Sequence, residues 1–300
     1  MEFEMFLQEM KRKLQDMAGA DCRFEEQTIE GLNGTVRHSL LAIQEGAENI
    51  CPCVHMDAYY RQYQSGADMD VLAGNILESC RAKVPVSMNA VSGFTRWDLV
   101  ERSIFAKLVN TEKNEALLQK CPHREYLDLS MAYYARIEGK EPGEYGMVQI
   151  SREHQSLWGV DESRLFGAAW KNMQDTGEAV LESVDDILRS FFCAGKVSGM
   201  EHEEVKMYVL GNRSRQYGAA QMCSPQALQE AAETIGDDFW VLPSSVHEVI
   251  LLPLHQSEVS ARGLAEIVRE VNETQVEPQD ILSGHVYRYS RNAGKIVIAA

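Results

Sequence analysis

No strongly apolar run in this 300-residue chain is longer than Val249–Leu254, and Pro253 interrupts even that one. A helix that crosses a bilayer needs about 20 consecutive apolar residues, so the sequence predicts no membrane span and no membrane partner. Apolar residues still make up 45% of the chain, the usage of a folded globular protein. They have to be buried piecemeal, by short strands and amphipathic helices packed around shared cores.

Phe3, Phe6, Leu7, Met10, Leu14 and Met17 recur at three- and four-residue steps, which predicts an amphipathic helix stopped at Gly19. Arg23 to His55 reads as short strands, with Asn33-Gly34 supplying the positive backbone angles of a tight hairpin turn. Asp57–Tyr63 and Asp68–Lys83 read as helices, the second capped by Asp68 and ended by Pro85. Ser103–Val109 reads as a strand, and Thr111 as the cap of a helix beginning near Glu112. Tyr126–Ile137 and Gly146–Ile150 read as strands joined across a turn at Gly139–Gly143, with helices following from Arg152 to Arg189. Gly195–Glu204 is polar and contains glycine, the composition of a mobile surface loop.

Val205–Leu210 and Tyr217–Met222 read as strands, after which Ser224 and Pro225 take the cap and first-turn positions of a helix ending at Gly236. Phe239–Leu242 and Glu248–Leu252 read as inner strands. Leu264, Ile267, Val268 and Val271 mark a further helix, and Val286–Tyr289 with Lys295–Ile298 a closing hairpin. Residues 107–137 and 217–252 both read strand, helix, strand, but they share too few residues to establish a duplication. The expected fold is α+β, or mixed α/β, with a smaller N-terminal lobe over residues 1–92 and a larger C-terminal region over residues 93–300.

Lys+Arg 29 against Asp+Glu 45 gives a formal net charge of -16, and both halves of the chain are acidic. That balance argues against a broad phosphate-binding surface and hence against nucleic acid as a partner. Seven scattered cysteines are too few and too dispersed for a disulfide scaffold, and Met1-Glu2-Phe3-Glu4 is the reverse of a basic secretory start. Reduced thiols and a cytoplasmic location are the expectation.

Three groups of residues carry chemistry by type. Cys51, Cys53 and His55 alternate along a strand and so face one side, where two thiolates and an imidazole would meet a metal. No fourth ligand follows, and zinc pairs are usually spaced by two or more residues, so three packed side chains is the plainer reading. His123, Arg124 and Glu125 after Pro122 are the vocabulary of a polar pocket, or else a surface ion pair beside a backbone-bonded histidine.

Ser245, His247 and Glu248, behind Ser244, are nucleophile, base and acid by type. His247 and Glu248 are neighbours, however, and would point to opposite faces of a strand, and turn-capping serines ahead of a buried strand explain the same residues. The chain contains no G-x-G-x-x-G, no phosphate-cradling G-x-x-x-x-G-K and no G-x-S-x-G elbow, so no cofactor is expected. Arg213 and Arg215, beside Tyr217, form the thin basic cluster that a nucleic-acid accessory role would need.

The segments Asn110–Asn114, Pro122–Glu125, Leu242–Val249 and Val271–Val276 together resemble a family of uncharacterised proteins from gut Clostridia, catalogued as a domain of unknown function. The resemblance runs from the first helix to Val286-Tyr287-Arg288-Tyr289 and implies no assigned activity, so no catalytic residue is carried over. The family pattern after Glu48-Asn49-Ile50 usually lacks the cysteines found here at Cys51 and Cys53, which weakens the metal reading. The function expected from the sequence is that of a non-catalytic binding or interaction protein, with a protein the favoured partner. A hydrolase or transferase that brings His123, Arg124 and Glu125 together with Ser245, His247 and Glu248 is the alternative.

Overall fold

The computed structural model describes residues 1–44, 53–81, 93–138, 145–176, 179–191, 206–256 and 259–300. The readings made on Cys51, Pro85, the 139–143 turn and the 195–204 loop lie outside the described residues. The described residues form two units, one ending at Arg81 and one beginning at Gly93. Together they carry three antiparallel sheets and interleaved helices, a mixed α+β fold. Among the described residues no helix is long and apolar enough to cross a membrane.

In the N-terminal unit, α1 (Phe3–Ala18) buries Phe6, Leu7, Met10 and Leu14 of the stripe that the sequence spacing marks, with Phe3 partly buried beside them and Met17 exposed. They pack on Leu72, Ala73 and Ile76 of α3 (Met69–Arg81) and on Phe24, Leu40 and Ala42 of a three-stranded sheet. That sheet runs β1 (Cys22–Glu30), β2 (Val36–Gln44), β3 (Cys53–His55). The β1–β2 hairpin closes at Asn33 and Gly34, whose φ values are 58° and 68°. After β3 comes α2 (Met56–Gln64), and Asp68 caps α3 by accepting from the Asp70 and Val71 N–H groups.

The C-terminal unit begins with the short helix α4 (Trp97–Val100) and then builds a sheet around the long strand β6 (Leu129–Glu138). On one edge of β6 lies β4 (Ile104–Asn110). On the other lie β5 (His123–Tyr126) and β7 (Tyr145–Gln149), paired to its first and second halves. Between β4 and β5 is α5 (Glu115–Lys120), and beyond β7 come α6 (Arg152–Trp158) and α7 (Glu162–Asp175). The second sheet has the order Lys295–Ile298, Tyr287–Ser290, Phe239–Leu242, Val249–Pro253, Tyr208–Asn212, Ala179–Ser183, numbered β13, β12, β10, β11, β9 and β8. Here α10 (Ala261–Thr274) buries Leu264, Ala265 and Val268 against Leu242, Leu252 and Val286.

Four sequence expectations need correction. The single strand read over Tyr126–Ile137 is broken, since Tyr126 pairs with Leu129 across a turn in which Leu127 has φ 57°. No glycine marks that turn; the partners that pin Asp128 lie far along the chain, at His285 and Tyr287. Thr111 caps nothing, because its hydroxyl bonds Ser130 at 2.9 Å, and the Asn110 side chain accepts the Lys113 N–H instead.

The helical reading from 152 to 189 is interrupted by β8, where ladder pairing with β9 overrides local preference, before α8 (Val184–Phe191) resumes. Residues 217–222 are not a strand. Tyr217 is left-handed at φ 54° and a 3₁₀ turn runs Gly218–Cys223, so the second half of the imagined repeat opens on a turn. After it, α9 (Pro225–Ile235) is as expected, with Ser224 accepting the Ala227 N–H at 3.2 Å and Gly236 closing the helix at φ 82°.

Candidate functional site

The register of the β4–β6–β5 sheet sorts its residues onto two faces. Leu108, Met131 and Arg124 stand in one row, and Lys107, Ala132 and His123 in the next, on the opposite face. Arg124 is therefore separated from its neighbours His123 and Glu125 by the thickness of the sheet.

On the first face, Arg124 forks onto Glu162 of α7, with Nε to Oε1 at 3.2 Å and Nη2 to Oε2 at 2.9 Å. Its guanidinium carbon lies 3.7 Å from the centroid of the Phe166 ring. The buried Tyr133 hydroxyl also donates to Glu162 Oε1, and burial followed by that carboxylate pushes its phenol well above the usual tyrosine range. Glu125 is exposed, while His123 is half-buried with Nδ1 3.1 Å from the Cys121 carbonyl. The backbone-bonded histidine is as the residue types allow, but the partner of Arg124 is Glu162 and not its neighbour Glu125.

The second face holds Lys107, 6% exposed and the one charged residue in the apolar run of β4. It makes no ion pair or hydrogen bond with the described residues. Its ammonium lies over the Tyr217 ring, 4.8 Å from the centroid. Burial lowers the amine from 10.5 to about 8, because a low-dielectric interior disfavours the charged form. A second cation shares the face: the Arg136 guanidinium sits 3.8 Å from the Phe105 ring, with Nη2 3.4 Å from both the Tyr134 and the Ser214 hydroxyls. Tyr134 in turn contacts Tyr217 at 5.3 Å between centroids.

Tyr217 is held in place by the loop after β9. Asn212 binds the Gln216 carbonyl through its amide and accepts from the Gln216 N–H and the Ser214 hydroxyl. The Tyr217 ring also stacks on His247, 5.7 Å between centroids at 20°. His247 Nδ1 accepts the Tyr217 N–H at 3.3 Å, so Nε2 carries the proton and faces Asp280 Oδ1 at 3.4 Å.

The sequence pointed to His247, and to Tyr217 only as a neighbour of Arg213 and Arg215, but to neither Lys107 nor Asp280. A lone lysine inside the apolar run Ile104–Val109 was the available signal. Ser245 Oγ accepts from the His247 N–H at 3.1 Å rather than facing the imidazole, and Glu248 is exposed. Residues 243–246 are stitched by backbone hydrogen bonds to 280–283. Arg215 faces Glu182 Oε2 at 3.7 Å.

In the N-terminal unit Cys53 and His55 are exposed on β3, and His55 Nδ1 lies 2.9 Å from Ser39 Oγ. Burial and then Arg37 depress its imidazole. Cys51 lies outside the described residues, among which no group of three or more metal-ligating side chains is gathered.

Fold and site define a mixed α+β protein of two units, the larger carrying a buried cation roofed by a tyrosine. The chain belongs to the family of unknown function DUF5688, whose model matches residues 3–291. No curated protein and no solved structure matches it.

Proposed function

We propose that the protein is a binding protein whose C-terminal unit takes up a small anion at Lys107, without transforming it. The observation that carries this reading is an ammonium 6% exposed with no carboxylate partner among the described residues. A buried, unpaired charge is expensive and persists where something offsets its cost. In the free protein the offsets are the nearby Cys121 thiol and the Tyr217 ring, the ring contact worth about 0.5–2 kcal/mol. A charge-assisted hydrogen bond from the ammonium to an anion is worth about 1.5–3 kcal/mol, which favours the anion over the ring. Arg136 stands on the same face of the sheet, over the Phe105 ring. The reading takes the protein as cytoplasmic, in keeping with the free thiols of Cys53, Cys80 and Cys121.

Thermal unfolding at constant ionic strength, with acetate or inorganic phosphate replacing chloride, tests it. The wild type should show a saturable rise in midpoint at pH 7 that weakens above pH 8 as the amine loses its proton, and Lys107→Met should show none. Equal shifts in both proteins, or no shift in either, would overturn the reading.

A further inference from the structure

A cavity of about 190 Å³ opens in the C-terminal unit between α7 and α9. Trp170 and Met173 of α7, Ala227 of α9 and Gln221 of the 3₁₀ turn line it. Gln221 is only 4% exposed, yet its side-chain amide makes no hydrogen bond with the described residues. The amide presents a donor and an acceptor side by side at the cavity wall, both open to a ligand. The Trp170 indole is fixed as a wall, stacked on Phe166 at 5.7 Å and 20°. Among the described lining residues Glu230 is the one charged group and none is basic. Its Oε1 is already engaged by Gln226 Nε2 at 2.9 Å. The one charge among the described lining residues is negative, which disfavours anions, and the Trp170 ring offers a planar wall to an uncharged molecule.

We propose that this cavity binds a small neutral planar ligand that presents a donor beside an acceptor, the chemistry of a carboxamide or of a nucleobase edge. The ligand pairs with the Gln221 amide and packs against Trp170. The proposal rests on residues separate from Lys107 and stands or falls independently of the anion site. Nicotinamide, adenine and uracil titrated calorimetrically into the full chain distinguish the two sources. Saturation by nicotinamide alone assigns a carboxamide, and saturation by a base assigns a nucleobase edge. Gln221→Leu should weaken binding about tenfold or more. Ala179→Phe, which adds bulk at an exposed lining position, should abolish binding without lowering the unfolding midpoint. Lys107→Met should bind as the wild type does. Failure of all three compounds to saturate, or wild-type affinity in Gln221→Leu, would overturn the assignment.

Discussion

Arg124 and Glu162 form a two-point ion pair between a strand and a helix, with Nη2 to Oε2 at 2.9 Å. Both side chains keep partial exposure, 38% and 28%, so screening limits what the pair itself contributes to about 1 kcal/mol. The fully buried Tyr133 hydroxyl that shares Glu162 is the larger stake.

Glu162→Ala should therefore destabilise the fold by about 1–3 kcal/mol, chiefly by leaving that hydroxyl without its acceptor. Urea unfolding of Glu162→Ala, Tyr133→Phe and the double variant checks this. The two losses should be non-additive by about 0.5 kcal/mol or more, and strict additivity would place the effect elsewhere.

Lys107→Met should raise stability at pH 7. The amine falls from 10.5 to about 8 on folding, so between those values the unfolded chain binds more protons and wild-type stability rises with pH. Below pH 8 the full penalty applies, roughly 3 kcal/mol at 1.36 kcal/mol per pH unit. Urea midpoints at pH 7 and 9.5 should show the advantage of the variant shrinking at the higher pH, and a constant difference would refute the linkage.

Gly218→Ala and Gly167→Ala should move stability in opposite directions. A Cβ at Gly218 would lie 2.5 Å from the His247 carbonyl oxygen and 2.7 Å from the Asn212 nitrogen, both backbone atoms. The overpacking should cost about 1–3 kcal/mol or more. At Gly167, inside α7, a Cβ meets nothing within 4 Å, and alanine should add about 0.5–1 kcal/mol. Thermal midpoints of the two variants decide.

Asp128→Asn should weaken the turn that divides β5 from β6. Asp128 accepts from the Tyr287 hydroxyl at 2.6 Å and from the Ser283 hydroxyl at 3.3 Å, and its Oδ2 lies 2.8 Å from His285 Nδ1. Burial raises its carboxyl, but the hydrogen bonds from Tyr287 and His285 outweigh burial and hold it below the usual carboxylate range. A depressed carboxyl contributes stability above its unfolded value, near 4, and loses it as pH falls through the folded value. Guanidinium unfolding should show a deficit of about 1–3 kcal/mol in the variant at pH 7, narrowing at pH 3.

Where the signal is local, sequence and structure agree. The stripe of α1, the Asn33-Gly34 turn, the Asp68 cap and the Ser224-to-Gly236 helix each follow from residues within one or two turns of one another. The readings that failed are those in which a distant partner decides. Asp128 turns the chain because His285 and Tyr287 hold it, and residues 179–183 extend because Tyr208–Asn212 pairs with them.

The candidate residues followed the same rule. Residue type identified His123, Arg124 and His247 as polar groups with work to do, but strand parity sent Arg124 to the helix side, and the bend ahead of β11 gave His247 to Asp280. By itself the sequence determined the mixed α+β class, the absence of a long apolar helix among the described residues and the local caps and turns, because periodicity and backbone freedom are properties of neighbouring residues. Only the tertiary structure decided that Lys107 is enclosed under Tyr217, and that Gln221 lines a cavity beside Trp170. Burial and partnership depend on which distant segments close over a side chain, and a linear pattern carries no record of that.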